Sequence, residues 1–399
     1  MSNPEDRPPT APPSPAAGLR TPTEPTAPAA NPEAGEDVPV NYAEQIRMEA
    51  DRAWSSTGVA LQHALSQKVT VAFLGSASSG KDSAIRALFG IDFGEISPIP
   101  GSTDRLRVAP LDKAGQVLLV NAPGFGDVRA EVDRVGRDAL DALDVVVYVV
   151  NCEGGATIDE RRDLATIRAL GRPVLVCLNK IDLIRPHQRQ GFIDATLAQL
   201  DVRPADAVIT AFDPLPQLAE APIGVTEVVA WLSTQLEVSG KELLFAKQLR
   251  NKGAACEPLI LAAAQRASIA GALPVPGADL AVVTAIQVKL IRDVAEVFEV
   301  PVDREVALFI LSEVLSGGMR GFVRWGVGAL KAAGWIPGTQ IAEAAILALG
   351  AMVAGGTTYG VGQASVRWFQ SGGKLESDKL RAVFDTAAFA WRTRRETAR

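Results

Sequence analysis

The sequence predicts an α/β domain with a mostly parallel sheet, followed by an all-α domain. Between residues 68 and 237, short β-branched runs alternate with helical stretches, which is typical of a parallel sheet covered on both faces. Residues 238–399 lack comparable strands and are rich in Ala, Leu, Val and Gly at helical spacing. At 399 residues, the chain is long enough for several domains that each bury a core.

The amino-terminal segment divides into a tail and a helical lead-in. Residues 1–41 are crowded with Pro, Ala, Thr and acidic side chains, which cannot bury enough apolar surface to offset ordering entropy, so we predict a disordered tail. Residues 42–67 carry apolar side chains at loosely helical spacing. We predict one or two helices there, packed on the domain that follows.

Charge and cysteine content limit the partners and the compartment. A net charge of -6 argues against nucleic acid as a partner. Cys152, Cys177 and Cys256 are too few and too scattered for a disulfide framework or a zinc site, so we predict buried, reduced thiols. The start of the sequence lacks a secretory signal, which also favours the cytoplasm.

Six apolar or β-branched runs predict the strands of the sheet. In order, they are KVTVAFLG, RLRVAPL, QVLLVNAPG, DVVVYVV, PVLVCLN and AVITAF.

The stretch GSASSGKDS lies between the first strand and a predicted helix, the context that a phosphate-binding loop requires. Its glycines let backbone amides turn inward, the helix start adds partial positive charge, and Lys81 can reach the β and γ phosphates. Alone, the stretch could also be a Gly/Ser turn with a surface lysine. The predicted phosphate-binding residues are Gly75, Ser76, Ala77, Ser78, Ser79, Gly80, Lys81, Asp82 and Ser83.

The tetrapeptide NKID, residues 179–182, follows the strand PVLVCLN and indicates a guanine site. The Asp182 carboxylate can accept two hydrogen bonds from N1 and the exocyclic N2 of guanine, whereas adenine offers the opposite pattern.

Together with NKID, the stretches PGSTDR, VNAPGFGD and TAF resemble the G domain of P-loop NTPases of the translation-factor class, especially Era/Der/TrmE-like GTPases. The resemblance covers residues 68–237 and implies GTP or GDP binding with Mg²⁺. It also implies switch segments at 95–106 and 121–135.

The resemblance assigns roles to individual residues. Lys81, Thr103 and Gly124 would be the catalytic set, with Thr103 sensing the γ-phosphate and magnesium and Gly124 donating its amide to the γ-phosphate. The base would be held by Asn179, Lys180, Asp182, Thr210 and Ala211, with Lys180 packed on the ring and the Ala211 amide facing the base oxygen.

Two residues depart from the family pattern at the metal, for which the expected ligands are Asp82, Thr103 and Asn121. Asp82 replaces a magnesium-binding Ser or Thr, and Asn121 replaces an Asp that orients a bound water. One hypothesis is that the carboxylate has moved across the site, leaving the formal charge unchanged. The alternative is that magnesium binding is lost, because Asp82 adds charge of the same sign beside the triphosphate.

Two further residues bear on the rate and the ions. Phe125 stands where signalling GTPases carry the glutamine that orients water, which favours slow turnover. Ser78 occupies a position where related proteins help to hold a monovalent cation, which suggests potassium.

The helical part resembles the YcjF-type carboxyl-terminal domain of unknown function over about 250–370, carried by PVPGAD and the helix after it. Residues 344–366 carry no charge and are long enough to span a bilayer, with a Gly356/Gly360 spacing suited to close helix contact. Tightly packed helices outside a membrane are the alternative. Residues 317–335 and the final WRTRRETAR could contact membrane lipid.

The predicted function is a slow, Mg-dependent GTPase that acts as a switch on the cytoplasmic side, with the helical domain meeting a protein effector or a membrane. One alternative is a GTP sensor that does not hydrolyse its nucleotide, and another is a dynamin-like membrane-remodelling GTPase. The sequence leaves the effector and the oligomeric state open.

Overall fold

The computed structural model describes residues 42–93, 106–122, 138, 140–272, 278–315 and 340–397. The strands are β1 Val69–Leu74, β2 Arg107–Pro110, β3 Val117–Ala122, β4 Val145–Asn151, β5 Val174–Asn179 and β6 Ala207–Ile209. The first helices are α1 Tyr42–Leu65, α2 Lys81–Phe89, α3 Ile158–Arg168, α4 Pro186–Leu200, α5 Val225–Glu237 and α6 Glu242–Gln248. The others are α7 Lys252–Gly271, α8 Ala278–Val297, α9 at 304–315, α10 Gln340–Gln370 and α11 Ser377–Thr397.

The six strands form one sheet in the order β2-β3-β1-β4-β5-β6. Only β2 runs antiparallel to its neighbour, so the predicted, mostly parallel sheet is confirmed. Residues of β1 and β4 are buried on both faces, as continuous apolar runs require. The carboxyl ends of the parallel strands therefore meet at one edge, where the loop after β1 contacts the end of β5 through the hydrogen bond from Asn179 Nδ2 to Ser79 O (2.8 Å).

The sheet has a different core on each face. Leu164, Ile167 and Leu197 cover one face from α3 and α4. On the other face, the core continues from the sheet into α6 and the helices after it. The Phe89 ring lies edge-on to Phe73 of β1 at 6.1 Å and to Phe245 of α6 at 6.0 Å. The sheet and the helical region thus share one hydrophobic core.

The lead-in is a single helix, and the prediction of its packing partner is corrected. Helix α1 packs mainly against α8. The Arg292 guanidinium donates to Trp54 O (2.6 Å) and lies 4.1 Å from the centre of the Trp54 ring, while Arg304 pairs with Asp51. Because Arg292 contacts both the ring face and the carbonyl of Trp54, α1 packs mainly on the helical region. Its carboxyl end also meets the sheet, where Gln116 Nε2 donates to Leu65 O (2.6 Å).

Helix α10 contains the uncharged segment 344–366, and glycines let it pack closely on its neighbours. A Cβ at Gly350 would collide with Gly271 O of α7, and one at Gly360 would lie 2.5 Å from the Phe384 ring of α11. The same helix contains Tyr359, whose hydroxyl donates to Glu257 (2.8 Å). In the part of the chain that the structure describes, no helix combines the length and the apolar character that a membrane span requires.

Three other predictions concern the ends of the chain and a glycine-rich stretch. Arg394 of the basic carboxyl-terminal run pairs with Glu257 (2.7 Å), so this arginine is bound within the protein. The predicted tail, 1–41, and the stretch 317–335 lie outside the described residues. All three cysteines are free and buried, which confirms the prediction for the thiols.

Candidate nucleotide-binding site

The phosphate loop connects the end of β1 to the start of α2, and its glycines are required by close approach. Gly75 has φ 141°, and a Cβ there would collide with Val149 O. Gly80 has φ 100°, and a Cβ there would collide with the Asn179 amide. Ser78 also has positive φ (61°), which is uncommon for a residue other than glycine. The loop is therefore a tight cradle that extra side-chain atoms would fill.

Lys81 closes the cradle. Its ammonium donates to Gly75 O (3.0 Å) and Ser76 O (2.8 Å). Burial lowers the pKa of Lys81, and the neighbouring Asp82 carboxylate opposes that shift. A lysine held on loop carbonyls can turn toward a phosphate that enters the cradle, exchanging neutral acceptors for a charged one.

Asn179 connects the phosphate loop to the loop after β6. Its Nδ2 donates to Ser79 O (2.8 Å), while its Oδ1 accepts from Phe212 N (3.1 Å) and from the Thr210 hydroxyl (3.4 Å). The side chain is 2% exposed. We expected Asn179 to hold the base, but its polar atoms are engaged by protein. Asn179 therefore fixes two loops of the site relative to each other.

The other two polar residues of NKID, Lys180 and Asp182, are also held by contacts within the protein. Lys180 adopts φ 65°, and its ammonium pairs with Glu153 (3.0 Å). Asp182 is buried, and its Oδ2 accepts from Leu215 N (3.2 Å). Within the described residues, Asp182 Oδ1 accepts no hydrogen bond, which leaves it for a ligand donor.

The prediction for Ala211 is corrected. Its amide donates to Ile223 O (3.1 Å), because the two residues form an isolated β-bridge. That N–H is therefore already engaged and does not face an open base site.

Asp82 and Asn121, the two residues that depart from the family pattern, are hydrogen-bonded to each other. Asn121 on β3 donates through Nδ2 to Asp82 Oδ1 at 2.9 Å. Asn121 Oδ1 and Ser79 Oγ are both buried without a hydrogen-bond partner in the described part of the chain. Unsatisfied buried oxygens beside a glycine cradle fit a bound phosphate and a hydrated cation. The predicted Thr103, Gly124 and Phe125 lie outside the described residues.

Metal binding would need more than protein carboxylates. No cluster of three or more His, Cys, Asp or Glu residues that could hold an ion occurs among the residues described. A cation at Asp82 would therefore share its coordination with phosphate oxygens and water, as Mg²⁺ usually does.

The sequence interpretation missed Glu160, at the start of α3. Thr157 and Glu160 form a capping box, for which the sequence TIDE was the available signal. The other carboxylate oxygen of Glu160 accepts from Ser76 Oγ in the phosphate loop (3.1 Å). Cys152 lies near Glu160. Burial, and then the negative charges of Glu160 and Asp182, raise the pKa of the Cys152 thiol to about 12, so this thiol stays protonated.

Two family models match different parts of the chain. Residues 70–180 match the model described as "50S ribosome-binding GTPase". Residues 241–389 match "Domain of unknown function (DUF697)". The first range covers the sheet from β1 to β5, and the second covers α6 to α10 and most of α11.

Two curated relatives are similar to this chain over about a third of its length or less. GTPase Der of Persephonella marina is 29% identical over 129 residues, which cover 30% of this chain and 29% of that protein. GTPase Era of Aquifex aeolicus is 29% identical over 126 residues, covering 29% and 42%. A crystal structure of Era with MgGDPNP and 16S ribosomal RNA nucleotides gives 22% identity and a TM-score of 0.28, covering 37% and 52%. The matched region spans less than half the length of these two curated relatives.

Proposed function

We propose that this chain, which joins a P-loop GTPase domain to a DUF697 domain, binds guanine nucleotide and hydrolyses GTP slowly. One observation carries the proposal. The Asn179 side chain connects the phosphate loop at Ser79 to the loop at Phe212, next to the free Asp182 oxygen. A cradle for phosphates and an acceptor for a base are thereby held at fixed separation, as binding a nucleotide requires.

The proposed chemistry is attack of water on the γ-phosphate. Lys81 would leave the loop carbonyls and spread the charge that develops on the transferred group. Magnesium, when bound, would neutralise charge on the β and γ oxygens. Thr103 and Gly124 are the residues we assign to sensing the γ-phosphate. Because Phe125 offers no group to orient water, turnover should be slow.

For the metal, we propose the exchanged arrangement. Asp82 would supply the oxygen ligand, and Asn121, which donates to Asp82 Oδ1, would hold that carboxylate in place. The unpartnered Asn121 Oδ1 could accept from a water bound to the cation. A potassium ion near Ser78 is the further proposal, since Ser78 occupies the loop position where proteins that this chain resembles help to hold a monovalent cation.

The helical domain is the part we assign to reading the nucleotide state. Helix α2 begins at Lys81, in the phosphate loop. Its other end contacts the helical region, where Arg250 N donates to Leu88 O (2.8 Å) and Phe245 packs on Phe89. A movement of the loop would thus reach the helical domain through one short helix. An effector or a membrane would be met from there.

The test is nucleotide binding and turnover by the full chain. Purified protein is titrated with a fluorescent GTP analogue and then incubated with GTP and magnesium, with potassium or sodium, and GDP is measured. GDP above a Lys81→Ala control supports a GTPase. Tight binding with no GDP would support the non-hydrolysing sensor, and no binding would refute the proposal.

A second variant tests the base. In Asp182→Asn, the side chain accepts one hydrogen bond and donates one, which suits xanthine better than guanine. The variant should lose GTP binding and gain binding of xanthosine triphosphate. Unchanged preference for GTP would show that Asp182 does not read the base.

A further inference from the structure

We propose that Glu160 is a positioning residue that holds the first turn of the phosphate loop through the Ser76 hydroxyl. This inference rests on the proposed nucleotide site and adds a residue from outside its recognised motifs. Glu160 comes 84 positions after Ser76 and belongs to α3, whereas Ser76 lies in the loop between β1 and α2.

The contacts of Glu160 are those of a built connection. Its Oε1 accepts from Ser76 Oγ (3.1 Å), and its Oε2 accepts from Thr157 N (3.0 Å). Its own N–H donates to the Thr157 hydroxyl (3.1 Å). The residue is only 4% exposed. The capping box therefore fixes the carboxylate, and the carboxylate in turn fixes Ser76.

A second hydrogen bond to Ser76, from Lys81 to its carbonyl, explains why the contact with Glu160 matters when nucleotide binds. The Ser76 carbonyl accepts a hydrogen bond from the Lys81 ammonium (2.8 Å). If Lys81 turns to a phosphate, that hydrogen bond is lost. The bond to Glu160 uses the Ser76 hydroxyl instead of the carbonyl, so it can persist. Glu160 would then keep the loop in its binding shape while Lys81 changes partner.

The same part of the chain also contacts the base end. Cys152 N, just after β4, donates to Asn179 O (2.9 Å), and Glu153 pairs with Lys180 (3.0 Å). Residues 152–160 therefore contact the loop expected to hold the phosphates and the loop expected to hold the base. Glu160 is the contact at the phosphate end.

Three variants and a control test the inference. Ser76→Ala removes the hydroxyl, and Glu160→Gln keeps a side chain compatible with the capping box but removes the charge. The double variant combines them. Asp159→Asn is the matched control, because Asp159 lies in the same turn but is exposed and pairs with the exposed Arg162 (3.4 Å). For each, we measure the Kd of a fluorescent GTP analogue and of its GDP counterpart, together with the urea midpoint of unfolding.

We expect Ser76→Ala to raise the Kd of both nucleotides roughly tenfold and Glu160→Gln to raise it less. The urea midpoint of Glu160→Gln should be unchanged. The double variant should be no weaker than Ser76→Ala, since both changes remove one contact. Asp159→Asn should leave both Kd values unchanged. An effect of Asp159→Asn as large as that of Glu160→Gln would overturn the inference, because charge alone would then explain it.

Hydrogen exchange without nucleotide tests positioning independently of binding. Amides of residues 75–81 should exchange faster in Ser76→Ala and Glu160→Gln than in the unchanged protein. Unchanged exchange and unchanged Kd would overturn the inference and leave the proposed function standing. Failure of the unchanged protein to bind nucleotide would instead refute the proposed function, while the exchange result would still decide whether Glu160 orders the loop.

Discussion

Exchanging Asp82 and Asn121 tests the arrangement of the metal site directly. The two side chains share a hydrogen bond of 2.9 Å, from Asn121 Nδ2 to Asp82 Oδ1. A buried hydrogen bond to a charged group contributes about 1.5–3 kcal/mol. Because Asp82 is exposed, we take about 1 kcal/mol for this one, which corresponds to about a fivefold change in a dissociation constant. Asp82→Ser should therefore raise the magnesium concentration needed for half-maximal GTP binding by at least about fivefold.

The other single variant, Asn121→Asp, should also weaken magnesium-dependent binding, but for a different reason. Asn121→Asp places two carboxylates at hydrogen-bond distance beside the triphosphate, and charges of the same sign repel. The double variant Asp82→Ser/Asn121→Asp returns one hydroxyl and one carboxylate, and it should recover magnesium dependence to within about twofold of the unchanged protein. The assay is a magnesium titration with a fluorescent GTP analogue, using Lys81→Ala as the baseline. Tighter magnesium-dependent binding by Asp82→Ser alone would refute the reasoning and favour loss of the metal.

Three other changes test the fold. Asn179→Ala leaves the buried Ser79 carbonyl and Phe212 amide without their partner and should cost about 3 kcal/mol in urea unfolding without nucleotide; a cost below about 1 kcal/mol would contradict its role. Gly360→Ala should destabilise by about 1–3 kcal/mol against Phe384, whereas Gly191→Ala, with open space around it, should be neutral or slightly stabilising; equal effects would contradict the packing of α10. Arg292→Ala should speed amide exchange in 42–65, and unchanged exchange there would contradict the role of Arg292 in holding α1.

The sheet could be predicted because its signal is local. Runs such as VTVAFL and VVVYVV are short, rich in β-branched residues and almost wholly apolar, which is typical of strands buried on both faces. The phosphate loop was equally clear, since Gly75 and Gly80 accept conformations that their neighbours enforce. The pairing of Asp82 with Asn121 followed from considering two departures together.

Contacts between distant segments could not be predicted in this way. The pattern of α1 shows which of its faces is apolar but does not show that Arg292 would cover Trp54. A capping box at Thr157 and Glu160 is readable, but the second oxygen of Glu160 finds Ser76 only in the folded chain. Likewise, the Ala211 amide was assigned to a ligand, although Ile223 takes it first.

The core shared by the sheet and the helical region links the stability of one to the ligand of the other. Phe73, Phe89 and Phe245 belong to one cluster that extends to Trp391 of α11. Parts that share a core tend to unfold together, so a ligand bound at the sheet also stabilises the helices. At a concentration a hundred times its Kd, a nucleotide would raise the free energy of unfolding of the sheet and helices together by about 2.7 kcal/mol. The lifetime of the helical region against proteolysis would then follow the supply of nucleotide, even though no nucleotide touches it.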